Sequence, residues 1–146
     1  MNHFELSEMR CKDDARTPYP AEWTASRWPP LQSTANVIRE AWGEGLAVMS
    51  GYRTREYNAT RPGAAKESQH TEGRAMDLWP VGAKLMPRAE LRAKIRALHD
   101  KVLRLYDAGN LPDLGGLGIY DTFIHIDTRQ GWNHLARWDK RREPIT

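Results

Sequence analysis

The sequence predicts an α+β fold, in which a small and mainly antiparallel sheet carries helices on one side. The strongest helical pattern spans residues 88–105, and short segments at 46–49, 74–79, 119–120 and 123–127 have the apolar or alternating character of strands. The helical segment has one apolar stripe at helical spacing, made of Leu91, Ile95, Leu98, Val102 and Leu105. A chain of 146 residues is long enough for one domain with its own core.

The N-terminal part is predicted to be an extended arm that ends near residue 30. A short helix capped by Ser7 is expected between Phe4 and Cys11, because a serine side chain can accept hydrogen bonds from free amide groups. Four prolines between residues 13 and 30 argue against regular helix there. We expect Trp23 and Trp28 to hold this arm against the rest of the domain.

The catalytic core is predicted to span residues 31–130. Residues 31–42 have a helical pattern that Gly43 and Gly45 end, and the apolar run 46–49 is typical of a buried strand. Arg-Pro-Gly at 61–63 marks a loop that leads to His70.

The C-terminal third combines turn, strand and helix signals. Residues 113–118 are expected to form a glycine-rich turn, followed at 119–120 and 123–127 by two short strands or one bent strand. In the remaining segment, 131–146, we predict a short helix over 132–138. All of residues 1–146 are assigned to a single domain.

Composition and charge restrict the class of partner. The formal net charge is +3, with basic and acidic residues interleaved, so binding to nucleic acid is not predicted, while an anionic polymer such as a bacterial cell wall is weakly favoured. No apolar run approaches the roughly 18 residues of a membrane helix, and the N-terminus has no signal-peptide pattern. The single Cys11 excludes an internal disulfide, and we expect a buried thiol.

Two segments carry a possible metal site. Residues 68–77 contain His70 and Asp77, and residues 123–127 contain His125. If the two strands pair, Asp77 can face His125 across the sheet, while His70 enters from the preceding loop and Gly73 permits a sharp turn. Zinc takes histidine nitrogen and carboxylate oxygen, and catalytic sites keep an open position beside three protein ligands. The alternative is two histidines that are hydrogen-bonded separately.

These segments resemble a known enzyme family. Ser50-Gly51-Tyr52-Arg53, the pattern Ser-x-His-x-x-Gly-x-Ala-x-Asp at 68–77, Gly-Ile-Tyr at 118–120 and His-Ile-Asp at 125–127 are similar to the zinc D-Ala-D-Ala carboxypeptidases and murein endopeptidases. The hedgehog signalling domain shares that fold. The resemblance implies a hedgehog-like peptidase fold, Zn²⁺ as cofactor, and His70, Asp77 and His125 as its ligands.

The resemblance also implies a general base and an arginine in the active site. Many relatives have an acidic residue three positions before the last histidine, but this chain has Thr122 there. The base is therefore expected to be Asp127, with Asp121 and then Glu72 as alternatives, and Asp127 can instead orient a histidine. Arg53 corresponds to an arginine near the substrate carbonyl or terminal carboxylate, unless it forms a structural ion pair.

The function implied by the resemblance is hydrolysis of peptidoglycan stem peptides or cross-links. A phage endolysin is the expected context: made in the cytoplasm, it would reach the cell wall through a holin-type pore, without inserting into the membrane. The chain is expected to act as a monomer. The alternatives are a zinc-containing cell-wall-binding module without turnover and a structural part of a virion. The sequence leaves the cleaved bond open.

Overall fold

A computed structural model describes residues 2–131 and 133–142. It contains three α-helices, α1 (Trp28–Trp42), α2 (Arg55–Ala59) and α3 (Arg88–Asp107), and five strands. The strands are β1 (Leu46–Ser50), β2 (Ala75–Pro80), β3 (Gly116–Ile119), β4 (Ile124–Asp127) and β5 (Ala136–Asp139). Short 3₁₀ helices occur at Leu6–Met9, Ala21–Trp23, Gln69–Glu72 and Ala83–Leu85.

The strands form one sheet in the order β1-β2-β4-β3-β5, which confirms the predicted α+β class. Pairing is antiparallel except between β3 and β5, which run parallel. On one face, α3 packs over buried apolar side chains of β2, β3 and β4, and α1 packs against α3; the strand residues are Met76, Leu78, Leu117, Ile119, Ile124 and Ile126. Because side chains alternate along a strand, Asp77 and His125 project from the opposite face.

The N-terminal region differs from the prediction in two details. The 3₁₀ helix Leu6–Met9 is capped by Glu5, not Ser7, because Glu5 and Glu8 bond reciprocally to each other's backbone amides. Helix α1 begins at Trp28 and not at residue 31. Pro29 and Pro30 fit there because the first turn of a helix does not use its backbone N–H groups.

Two predictions for the C-terminal third are wrong. Residues 116–118, placed in a turn, belong to β3, where glycines leave room for side chains from neighbouring strands. The helix predicted over 132–138 is replaced by β5, in which Ala136 and Trp138 are half-buried while Arg137 and Asp139 are exposed. That alternation has the period of a strand. Trp132 lies outside the described residues.

Aromatic packing holds the N-terminal arm to the loop that carries His70, as expected for Trp23 and Trp28. Tyr19 makes edge-to-face contacts with Trp23, Trp28 and Tyr52 at centroid distances of 6.2 Å. The Tyr19 hydroxyl donates a hydrogen bond of 2.6 Å to the Gly73 carbonyl, and burial raises the pKa of Tyr19 to about 12. Cys11 is buried, as predicted. In the described part of the chain, no helix is long and apolar enough to span a membrane.

Substitution of Gly73 tests this attachment. Its φ is +67°, and an added Cβ would lie 2.6 Å from the Trp23 ring. Because overpacking adds to left-handed strain, Gly73→Ala should destabilise the protein by about 2–4 kcal/mol in urea unfolding. Gly109→Ala is the matched control, with φ +82° and nothing within 4 Å of the added atom. Its expected loss is about 1 kcal/mol, and equal losses in both variants would contradict the packing argument.

Candidate metal centre

Three separate segments bring His70, Asp77 and His125 together. Ser68 caps the 3₁₀ helix Gln69–Glu72 by accepting a 3.1 Å hydrogen bond from the His70 amide, and Gly73 ends it in the left-handed conformation. Asp77 in β2 lies directly opposite His125 in β4. The structure therefore contains the strand pairing on which the predicted metal site depended.

The three side chains meet at one carboxylate oxygen. Asp77 Oδ1 lies 3.1 Å from His70 Nε2 and 3.2 Å from His125 Nδ1. One potential ligand atom from each residue falls within 4.8 Å of the other two, and all three side chains are buried. A cation placed among these atoms can contact all of them.

Hydrogen bonds on the outer side of each imidazole assign its tautomer. His70 Nδ1 is 2.7 Å from the Gly51 carbonyl oxygen, which can only accept, so Nδ1 carries the proton and Nε2 keeps its lone pair. His125 Nε2 donates in the same way to Asp127 Oδ2, at 2.7 Å. The inner nitrogens are thus the atoms free to bind a metal, an arrangement typical of metal-ligating histidines.

The three side chains of this cluster differ in their protonation states. Burial opposes ionisation of Asp77, but the two histidines outweigh it and keep the pKa of its carboxyl well below the usual range. Burial lowers the pKa of His70, which is therefore neutral. Burial also acts to lower the pKa of His125, but hydrogen bonds to Asp127 and Asp77 outweigh burial and raise it to about 9.

This donor set fits a divalent cation. Without a cation, the lone pair of His70 Nε2 faces an anionic oxygen at 3.1 Å with no proton between them. By contrast, the proton on His125 Nδ1 lies between that nitrogen and Asp77 Oδ1. Two neutral imidazoles and one carboxylate are a ligand set found in zinc, cobalt and iron sites, and the set occupies fewer positions than these ions use.

Arg53 lies beside the cluster. Its Nη2 is 3.5 Å from Asp77 Oδ2, and its Nε and Nη1 donate to Ser50 Oγ and Asn58 Oδ1 at 3.1 and 3.3 Å. These bonds fix the planar guanidinium while it still lines the adjacent cleft. Arg53 therefore both secures the second carboxylate oxygen of Asp77 and faces the space where a substrate would bind.

A cleft of about 670 Å³ opens over the cluster. Its lining includes the loop residues 61–65 and 67–69, the aromatic side chains of Tyr120, Phe123 and Trp138, and the cations Arg129 and Lys140. The acidic side chains among its described lining residues are Asp77 and Glu67. The sequence motifs do not indicate Glu67 or Arg129 as site residues, because neither belongs to the histidine and aspartate motifs.

Asp127, the expected base, is fully buried and its carboxylate is occupied. Oδ1 accepts from Arg129 Nε at 2.9 Å and from the Arg129 amide at 3.1 Å, while Oδ2 accepts from Arg129 Nη2 and His125 Nε2 at 2.7 Å each. Burial opposes ionisation, but these donors outweigh it and hold the pKa of Asp127 well below its usual range. This geometry is that of a carboxylate that orients a ligand histidine.

The two alternative bases lie elsewhere. Asp121 is not among the residues that line the cleft: its carboxylate is 3.6 Å from Arg88 and 3.8 Å from Arg92, both on α3, and accepts from the Arg142 amide. The reason is that β4 starts only at Ile124, so the bend at 121–122 turns towards α3. Glu72 is 3.3 Å from Arg27 and 3.9 Å from Arg55.

A buried His-Asp-His cluster at the base of an open cleft is typical of metal-dependent enzymes, a class that includes hydrolases. The family comparison agrees: the sequence model of the Peptidase M15 family matches residues 2–127, and this chain belongs to that family. Peptidases of this family depend on a metal, and the match is consistent with the zinc D-Ala-D-Ala carboxypeptidase resemblance. Searches of curated proteins and of solved structures found no match.

Proton release should accompany metal binding. His125 is protonated below pH 9 in the metal-free protein, so Zn²⁺ must displace the proton on Nδ1. We expect about one proton released per ion at pH 7, and apparent affinity that rises about tenfold per pH unit and levels off above pH 9. Calorimetry in buffers of different ionisation enthalpy counts the protons. His99→Gln, on α3, is a control that should leave the count unchanged; release of none would contradict the assignment.

Loss of the Asp127 charge should weaken metal binding. Asp127→Asn cannot anchor the His125 proton and Arg129 equally well, and we expect about 10–100-fold lower Zn²⁺ affinity in a chelator competition. Asp139→Asn is the matched control, because Asp139 also accepts from an arginine two residues later but lies exposed on β5. Unchanged affinity with lost hydrolysis in Asp127→Asn would instead assign Asp127 as the base.

Proposed function

We propose that this protein is a zinc peptidase that hydrolyses peptide bonds of bacterial peptidoglycan, in the stem peptides or cross-links. The observation that supports this most strongly is the pair of inward-facing imidazole nitrogens beside one ionised carboxylate oxygen, beneath a cleft, in a Peptidase M15 chain. The D-amino-acid substrate class rests on the resemblance to the D-Ala-D-Ala carboxypeptidases. His70, Asp77 and His125 are the proposed zinc ligands.

The ion would supply two things when bound: it would polarise the scissile carbonyl and lower the pKa of a water molecule at its open position. The protein contributes the positions of the ligand atoms. The Gly51 carbonyl and Asp127 hold the outer N–H groups of the two histidines, so neither ring needs to reorient. Arg53 holds Asp77 and offers N–H groups to a carbonyl oxygen or carboxylate of the substrate.

The general base in this proposal is Glu67 and no longer Asp127. Asp127 is fully buried with both oxygens occupied, whereas Glu67 is exposed and lines the cleft. As water oxygen bonds to the carbonyl carbon, a water proton passes to the Glu67 carboxylate. The same proton is delivered to the departing nitrogen when the C–N bond breaks, and Glu67 is restored.

The cleft also favours an anionic peptide. Its lining carries Arg53, Arg61, Arg129 and Lys140 against Glu67 and Asp77, and stem peptides carry free carboxylates. A cell-wall-lytic role of the endolysin type belongs to the same proposal, with the enzyme acting in the periplasm as a monomer.

Mass spectrometry of muropeptides from purified sacculi tests the activity. The zinc-loaded protein should release peptides with new amine and carboxylate ends, and a chelator should abolish release. Glu67→Gln should lower kcat about 10²–10⁴-fold and keep its zinc, because a positioned base contributes a factor of that size. Lys66→Gln, on the same loop but outside the lining, is the matched control with normal turnover.

Each failure has a separate meaning. Absence of new peptide ends with zinc-loaded wild type, together with retention on sacculi, would replace the peptidase by a non-catalytic wall-binding module. Normal turnover of Glu67→Gln would leave the peptidase intact and remove Glu67 from the mechanism.

A further inference from the structure

Two glycines in β3 make room for an aromatic wall beside the metal centre. A Cβ at Gly118 would collide with the Trp138 indole, and one at Gly116 would collide with the Asp127 carboxylate. The Trp138 ring from β5 therefore lies across β3, with its centroid 5.0 Å from that of His125. The position of this tryptophan at the cleft depends on the absence of side chains on that face of β3.

Trp138 in turn fixes the hydroxyl of Tyr120. Its Nε1–H donates a 2.9 Å hydrogen bond to the Tyr120 oxygen. An indole nitrogen can only donate, so the phenol oxygen must be the acceptor and its own hydrogen points elsewhere. The Tyr120 ring is also stacked on Phe123, with centroids 4.3 Å apart and planes 10° from parallel. Both the ring and the oxygen are thus held in place.

The O–H of Tyr120 has no acceptor among the described residues, although its oxygen has a donor. The side chain lines the cleft together with Arg53, Asp77 and His125. It is close enough to Asp77 and Arg53 for their charges to act on its pKa, and burial raises that pKa, so the phenol keeps its proton at neutral pH. A fixed, protonated hydroxyl without an acceptor therefore faces the space above the ligand cluster.

We infer that Tyr120 is a catalytic residue whose O–H donates a hydrogen bond to the carbonyl oxygen of the scissile peptide bond. This inference rests on the proposed peptidase function. When water adds to the carbonyl carbon, the π electron pair moves onto the oxygen, and the pair returns when the C–N bond breaks. Tyr120 transfers no proton. Its hydrogen bond strengthens as negative charge develops, and it needs no reorientation because Trp138 and Phe123 already hold it.

Tyr120→Phe removes the donor and keeps the ring that stacks on Phe123. Loss of one donor to a developing oxyanion typically costs about 10²–10³ in kcat, so we expect that loss with KM changed less than about threefold. Zinc stoichiometry should stay at the wild-type value. The matched control is Tyr106→Phe, on α3 and outside the cleft lining, with normal turnover expected.

Binding of a phosphinate analogue of the stem peptide provides a readout that does not depend on turnover. The oxygens of its tetrahedral phosphinate group resemble the developing oxyanion. Tyr120→Phe should therefore lower the affinity for the analogue by about the same factor as it lowers kcat. Binding of the reaction product should change little. Trp138→Phe also removes the hydrogen bond between Trp138 and Tyr120, but it leaves the Tyr120 hydroxyl in place. We therefore expect a smaller loss of kcat and of analogue affinity in that variant.

Three results would overturn the inference while the peptidase stands: normal kcat in Tyr120→Phe, unchanged affinity of that variant for the analogue, or equal losses in Tyr120→Phe and Trp138→Phe. The last would mean that Tyr120 only positions Trp138. Absence of hydrolysis by the wild type would instead overturn the proposed function and this inference with it.

Discussion

The register between β2 and β4 is the constraint on which the site depends. It places Asp77 directly opposite His125 on the face of the sheet opposite the one that α3 covers. A slip of one residue would turn Asp77 into the apolar core and bring Met76 or Leu78 to the cleft. The apolar contacts of one face thus fix the positions of the polar groups on the other. Only His70, which comes from a loop, requires separate support, from Ser68, Gly51 and the N-terminal arm.

Burial of so many ionisable groups needs an explanation, because an isolated buried charge is costly. Each charged oxygen here has a specific donor. Asp77 Oδ2 faces Arg53, and Asp127 is surrounded by Arg129 and His125, while Asp77 Oδ1 accepts from the protonated Nδ1 of His125. The chain of contacts from Arg129 through Asp127 and His125 to Asp77 means that a charge removed from one member changes the proton affinity of the next. Stability and metal affinity are therefore coupled in this cluster.

The sequence predicts the three converging residues because their spacing reflects local geometry. A glycine turn joins His70 to Asp77, and alternation in a strand keeps His125 on one face. Other contacts between distant parts of the chain could not be predicted. The short pattern of β5 also suits a helix, so its pairing with β3 was missed. The bend before β4 turns Asp121 towards Arg88 and Arg92, and no local pattern indicates that direction. Likewise, Asp127 and His125 were expected to share a face of the strand, but the hydrogen bonds from Arg129 to the Asp127 carboxylate were not expected. Whether a carboxylate can act as a base depends on what else binds it.

Close packing across the sheet explains why β3 contains glycines where strands usually carry branched side chains. Glycine weakens a strand, since it adds backbone entropy to the unfolded chain and contributes no packing. Here the loss is offset because Asp127 and Trp138 fill the space that side chains at 116 and 118 would take. The result is a fully buried, ionised carboxylate behind His125 and an aromatic wall beside it that lines the cleft. In such surroundings a dipole at the cleft surface interacts more strongly with a developing charge than it would in bulk water.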